Sequence, residues 1–166
     1  MSNLKVRLAT KKDLTDILDI YNQGIEDRIA TLEENPKDLN YMQNWFEKEH
    51  NQRYLVMVAE KNGEIVGWAS LNRYSNRCAY NGVTDLSIYI KRFQRGVGIG
   101  STLLKEIERN AKINDFNKIV LFTFPFNEMG QYLYRKIGYR EVGILKNQGK
   151  LDNKFVDVMV MEKILI

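Results

Sequence analysis

Hydrophobic positions along the chain switch repeatedly between a period of two and a period near 3.6, and each switch predicts a change of element. Lys5–Ala9 reads as a short strand, and Leu14, Ile17, Leu18 and Tyr21 follow at helical intervals. Thr10 stands at the expected N-cap, with Asp13 three residues on. Leu39, Met42, Trp45 and Phe46 place a second helix over Pro36–Lys48. Two strands come next, Tyr54–Lys61 and Glu64–Asn72, joined by Asn62-Gly63, a strong hairpin signal. Gly82–Lys91 alternates cleanly: Leu86, Ile88 and Ile90 share one face, Asp85, Ser87 and Tyr89 the other. Ile99, Leu103, Leu104, Ile107 and Ala111 then form a helix stripe, with Lys105, Glu106, Glu108 and Arg109 mainly outside it. Lys118–Phe124 predicts a strand, and Asn127 and Gly138 bracket a helix as N-cap and stop. Tyr139–Asn147 and Lys154–Leu165 close the chain as strands.

The predicted order, β-α-α-β-β-β-α-β-α-β-β, is that of an α/β fold with a mixed sheet and helices on both faces. No repeat, low-complexity segment or linker interrupts it, so residues 1–166 are expected to form a single domain.

Composition narrows the chemistry more than the fold. No apolar run approaches the roughly 20 residues that span a bilayer, and the charged N-terminus has no apolar signal core. A cytoplasmic protein with no membrane partner is therefore expected. Cys78 is the only cysteine, which excludes an internal disulfide and a cysteine-held metal; no metal is expected. The net charge of +4 is spread along the chain, where nucleic-acid binding would want a denser stripe. No nucleic-acid partner is expected, and a small anionic ligand suits the modest excess better. His50, the one histidine, sits in a polar stretch and reads as a solvated surface residue.

The densest chemical signal lies in Gln94–Leu104, where Gly96, Gly98 and Gly100 alternate ahead of a helix. A phosphate loop of the nucleotide triphosphatase type fails because no lysine precedes Ser101. A dinucleotide fingerprint needs its third glycine one position later, and Asp115 falls between a helix and a strand. The remaining reading is an anion site. Bare amides at a helix N-terminus face one spot, Arg95 stands beside them, and the missing side chains admit a bulky diphosphate.

With these features the chain resembles the GNAT superfamily of N-acetyltransferases along nearly its whole length. LSIYIKRFQ followed by RGVGIGSTLL is similar to that superfamily's acetyl-CoA motif. NEMGQYLYRKIGYREVG is similar to its second signature, Asn-x-x-(Ser/Ala)-x-x-Leu-Tyr-x-Lys-x-Gly-Phe/Tyr. IYNQGIEDRIATLEENP, GWASLNRYSNRCAY and GKLDNKFVDVMVMEK resemble the phosphinothricin acetyltransferase group, and GIEDRIAT with GKLDNKFVDV its arsinothricin-resistance branch. The resemblance implies a twisted, mostly antiparallel mixed sheet splayed at an acetyl-CoA site, and acetyl-CoA as co-substrate. It also implies a homodimer and a role in antibiotic resistance. The implied reaction is direct attack, in a ternary complex, by the α-amino group of a small amino acid or glutamate-analogue antibiotic. Phosphinothricin, arsinothricin and methionine sulfoximine are acceptors of this kind. A protein or peptide N-terminal acetyltransferase and a non-catalytic acyl-CoA-binding module are the alternatives.

The same resemblance assigns candidate roles. Main-chain groups of Arg95, Gly96, Val97, Gly98, Ile99, Gly100 and Ser101 would hold the CoA diphosphate. Ile88, Tyr89 and Ile90 would pair with the pantetheine arm, an N–H near Ile88 serving as oxyanion donor. Asp85 stands at the group's acidic residue, the candidate base, although most members carry Glu there; read by itself it is a carboxylate on a strand's polar face. Tyr134 is the candidate donor to the leaving sulfur, or a packed helix tyrosine. Asn127 is a CoA contact, an N-cap or both, and Gly130 replaces the usual Ser or Ala. Arg77 and Arg73 are candidate clamps for the substrate's acidic group, or solvated arginines, with Arg28, Thr31 and Tyr80 as pocket lining. The Lys146–Phe155 hairpin is placed to reach the site or a partner subunit.

Overall fold

Among the described residues seven strands join one sheet whose spatial order, numbered along the chain, is 1-2-3-4-5-7-6. The computed structural model describes residues 3–166. Strands are β1 (Leu4–Leu8), β2 (Val56–Lys61), β3 (Glu64–Arg73), β4 (Val83–Ile90), β5 (Lys118–Thr123), β6 (Arg140–Leu151) and β7 (Lys154–Ile164). Helices are α1 (Leu14–Asp27), α2 (Leu39–Glu49), α3 (Ile99–Ile113) and α4 (Glu128–Ile137). The alternation along the chain thus predicts the observed element order.

Every neighbouring pair is antiparallel except β4 and β5, which run parallel. That exception creates the site. β4 and β5 pair over Val83–Asp85 against Lys118–Val120 and then separate, although β4 stays registered with β3 to Ile90 and β5 with β7 to Thr123. A wedge opens in the middle of the sheet, just beyond Asp85.

The two faces of the sheet are packed separately. On one, α3 buries Ile99, Leu103, Leu104 and Ile107 against Leu71, Leu86, Ile119 and Met161. On the other, α1 and α2 set Leu14, Ile17, Ile20 and Met42 against Val56, Val58 and Trp68. The shared period-two and period-3.6 stripes account for both layers.

Differences from the sequence reading have local causes. Residues 36–38 stay outside α2 because Asp38, not Pro36, is the cap: its carboxylate accepts the Tyr41 N–H at 2.8 Å. β6 runs four residues past the expected Asn147 and turns at Asp152 and Asn153, both with positive φ, as a two-residue hairpin requires. Glu108, placed outside the α3 stripe, is 6% exposed and paired with Lys163 at 2.6 Å. His50 is not a solvated surface residue. Its ring packs on Trp45 at 4.3 Å, its Nδ1 donates to the Tyr54 carbonyl, and burial lowers its pKa, which keeps it neutral.

Candidate active site

The wedge is continuous with a cleft of about 270 Å³ whose walls come from three elements. Ile88, Tyr89 and Ile90 supply one wall, the loop into α3 (Gln94 to Ser101) the end, and α4 the other wall. Main-chain direction matters here. The Lys91 N–H donates to the Val66 carbonyl at 2.8 Å, extending the β3–β4 ladder, so odd-numbered residues turn their amides toward β3. Leu86, Ile88 and Ile90 therefore direct theirs to the β5 side, where beyond Asp85 no strand pairs with them. Such exposed edges are templates for an added strand.

The glycines of the loop differ in purpose. Gly96 and Gly98 have φ of 76° and 94°, the left-handed region, and a side chain at either would meet nothing within 4 Å. Gly98 is the cap from which α3 starts, so the free N–H groups of the first turn face the cleft. Gly100 is bare for packing: a Cβ there would lie 2.9 Å from Leu133 Cδ2, closing the α3–α4 contact. Only the first two were needed by the backbone path.

Arg95 is positioned differently from the cation beside an anion that the sequence suggested. Its Nε donates to the Ile90 carbonyl at 3.1 Å and its NH1 pairs with Asp27 at 2.8 Å. Arg92 joins the same carboxylate at 2.8 Å. Arg92 first, and Arg95 after it, hold Asp27 below the usual carboxylate range. Val97 and Ser101 complete the loop, half or more of Val97 being exposed.

Asp85 lies opposite Asn72 on β3 and shares its face with Ser87, which lies opposite Ser70. Asn72 ties this polar row together, donating to Ser87 Oγ at 3.0 Å and accepting from Ser70 Oγ at 2.9 Å. Although partly exposed at its edge, the Asp85 carboxyl sits in a desolvated hollow. Burial pushes its pKa up to about 7, against the lowering effect of the Asn72 side chain and the Leu86 N–H. A carboxylate that titrates near neutrality is suited to accept a proton there.

Tyr134 is 9% exposed, lines the cleft from α4 and packs edge-on against Tyr139. Burial raises its phenol to about 12, so it remains a proton donor. Burial pushes the Tyr89 phenol up, with Tyr21 and, more weakly, Tyr134 and Asp85 adding to the rise. Thr31 lies beside the Tyr21 and Tyr89 hydroxyls and lines a separate cavity with Phe122, Thr123 and Phe124. Asn127 caps α4, accepting the Gly130 N–H at 3.1 Å, and also lines the cleft. A side chain at Gly130 would collide with Asn127 at 2.5 Å.

The predicted arginines are not gathered. Arg28, in the left-handed conformation after α1, is held by Asp152 at 3.0 and 3.1 Å and by the Ile25 and Glu34 carbonyls. Arg73 pairs in register with Thr84, so it shares that residue's face rather than Asp85's, and its guanidinium covers the Tyr54 ring. Arg77 is exposed on the β3–β4 connection, 5.9 Å over the exposed Tyr80 ring. Sequence reasoning missed Gln94, Met129, Tyr132 and Lys136 in the cleft wall. The signal was present in α4, where positions 129, 132, 133 and 136 share one helical face. Among the described residues, no cluster of three or more His, Cys, Asp or Glu is placed to hold a metal ion, and no helix is long and apolar enough to cross a membrane.

The fold recurs in known proteins. The chain is 31% identical over 158 residues to YwnH of Bacillus subtilis, covering 95% of this chain and 97% of that one. It is 29% identical to the L-methionine sulfoximine/L-methionine sulfone acetyltransferase of Pseudomonas aeruginosa, covering 95% and 92%. The crystal structure of a GNAT superfamily phosphinothricin acetyltransferase from Sinorhizobium meliloti, in complex with AcCoA, superposes with a TM-score of 0.91 at 27% identity, covering 98% and 88%. The model of the Acetyltransferase (GNAT) family matches residues 14–139, and the chain belongs to that family of acetyltransferases.

Proposed function

We propose that the protein is an acetyl-CoA-dependent N-acetyltransferase acting on the α-amino group of a small amino acid or glutamate-analogue antibiotic of the phosphinothricin, arsinothricin or methionine sulfoximine type. The observation that carries this reading is the wedge itself: a glycine-rich helix start at its mouth and, at its apex, a carboxylate whose pKa is raised to about 7. Relatives named for methionine sulfoximine and phosphinothricin support the acceptor class.

Acetyl-CoA brings the activated thioester. The amides opening α3 hold its diphosphate, and the wedge-facing main-chain groups of β4, other than the Ile90 carbonyl that Arg95 takes, pair with the pantetheine arm. The Ile88 N–H meets the carbonyl oxygen as it gains charge. Asp85 takes the proton from the attacking amine, directly or through a water, and Tyr134 donates to the leaving sulfur. Arg77, without a carboxylate partner among the described residues, remains as anchor for the acceptor's acidic end, whereas Arg28 and Arg73 are engaged elsewhere. The reaction takes place in the cytoplasm, on a homodimer. Phe122, Leu145 and Ile164, exposed on one face of β5, β6 and β7, offer an apolar surface for that pairing.

Incubation with acetyl-CoA and each of the three analogues should release CoA thiol and give the N-acetyl product by mass spectrometry; no turnover with any of them would overturn the acceptor assignment. Tyr134→Phe should lower kcat by about tenfold without abolishing turnover, because a thiol of pKa about 8.5 leaves tolerably unaided. Steady-state kcat with the best analogue checks this. An unchanged kcat would leave Tyr134 a packing residue only.

A further inference from the structure

The segment joining β4 to the anion loop is pinned to α1 by side chains that the reaction does not call upon. Gln23 accepts the Arg92 N–H at 2.7 Å, and one helical turn on, Asp27 takes Arg92 at 2.8 and 3.3 Å and Arg95 at 2.8 Å. Between these two arginines Phe93 has φ of 69° and is 95% exposed, so the segment has no apolar anchor of its own. Arg95 then hands the constraint on: its Nε caps the Ile90 carbonyl, the last wedge-facing acceptor of β4. One carboxylate thus fixes both the end of the strand that lines the wedge and the start of the loop that closes it.

We propose that Asp27 is a positioning residue for acetyl-CoA binding, holding Arg92 and Arg95 so that the amides from Gly96 to Ser101 converge on the diphosphate. Its paired, quarter-exposed carboxylate is not among the groups that line the cleft, and it cancels charge that would otherwise draw Arg95 out of its cap. The loop's conformation, more than the arginine's charge, is what Asp27 supplies. This inference needs only acetyl-CoA as ligand and does not depend on which amine is acetylated.

The test is a pair of variants followed by KM for acetyl-CoA and by calorimetric titration with acetyl-CoA alone. Asp27→Asn should raise both KM and Kd by about tenfold while kcat at saturation falls less than about twofold, and Asp27→Glu should recover most of the affinity. Arg95→Gln should cost a similar factor, and the double variant should lose little more than either single one, since both break one contact. A tighter Kd in Asp27→Asn would mean that the freed arginine grips the diphosphate, and would overturn the proposal. So would an unchanged Kd, or fully additive losses. A merely structural loss would lower the melting temperature in Asp27→Asn and Asp27→Glu alike without shifting Kd, which also counts against it. Because the titration contains no amine, its failure is separate from any failure of the acceptor assignment.

Discussion

Asp85→Asn is expected to lower kcat/KM by about 10²- to 10⁴-fold, the usual worth of a general base. The change in the pH profile is the sharper signature. Burial raises the Asp85 carboxyl to about 7, and the group must be ionised to accept a proton. For the parent protein, kcat/KM should therefore rise with pH through two ionisations, one near 7 from Asp85 and a later one, at higher pH, from the substrate's own amine. In Asp85→Asn only the amine's limb should remain. A variant that keeps the limb near 7 would remove Asp85 from the proton's path.

The same group makes a stability prediction of definite sign. Its folded value lies above the free-carboxylate value of 3.8, so between the two the folded state holds a proton that the unfolded chain has released. The contribution to stability is full below 3.8 and is lost as pH rises through about 7. Asparagine does not titrate. Between about pH 4 and about pH 8 the melting temperature of Asp85→Asn should thus gain on that of the parent protein. An inactive protein that grows relatively more stable on the alkaline side is what a desolvated catalytic carboxylate produces.

Gly98→Asp should raise the Kd for acetyl-CoA by about 100-fold, equivalent to about 2.7 kcal/mol. Two effects combine. At φ of 94° any side chain is strained, and a carboxylate at the first cap of α3 sits where the diphosphate's charge must go. Gly98→Ala carries the strain without the charge and should lose less. Asp85→Ala, remote from the diphosphate, should change acetyl-CoA affinity by less than about threefold. Equal losses in Gly98→Asp and Asp85→Ala, read by titration with acetyl-CoA, would contradict the phosphate-cradle assignment.

How much of this was legible in the chain follows from the range of the interactions. Elements whose apolar stripe is local, such as Leu103, Leu104 and Ile107 on α3 or the alternation from Asp85 to Ile90, could be read directly. So could the caps, since Asn127 and Gly138 act within three or four residues of themselves. The anion loop was legible as a loop. What it touches was not: Arg95 finds Asp27 at a separation of 68 residues, and Arg28 finds Asp152 at 124. A free arginine and a paired one look alike in one dimension. The same limit hid the role of Gly100, which is set by Leu133 on another helix, and the burial of Glu108, which depends on Lys163 in β7. Asp85 was singled out by its resemblance to the group's acidic residue, while the burial that shifts its pKa arises only in the folded chain.

Transfer of acetyl by this wedge to the amine of a small free amino acid is a proposal about kinetics. It is tested most directly by kcat/KM for L-phosphinothricin, arsinothricin and L-methionine sulfoximine, measured beside a peptide with a free N-terminus, under saturating acetyl-CoA. At least one analogue should turn over with kcat/KM more than about tenfold above the peptide's. Turnover of the peptide alone would contradict it in favour of N-terminal acetylation. Binding of acetyl-CoA with no turnover of any amine would contradict it in favour of a module that has kept the cleft and lost the chemistry.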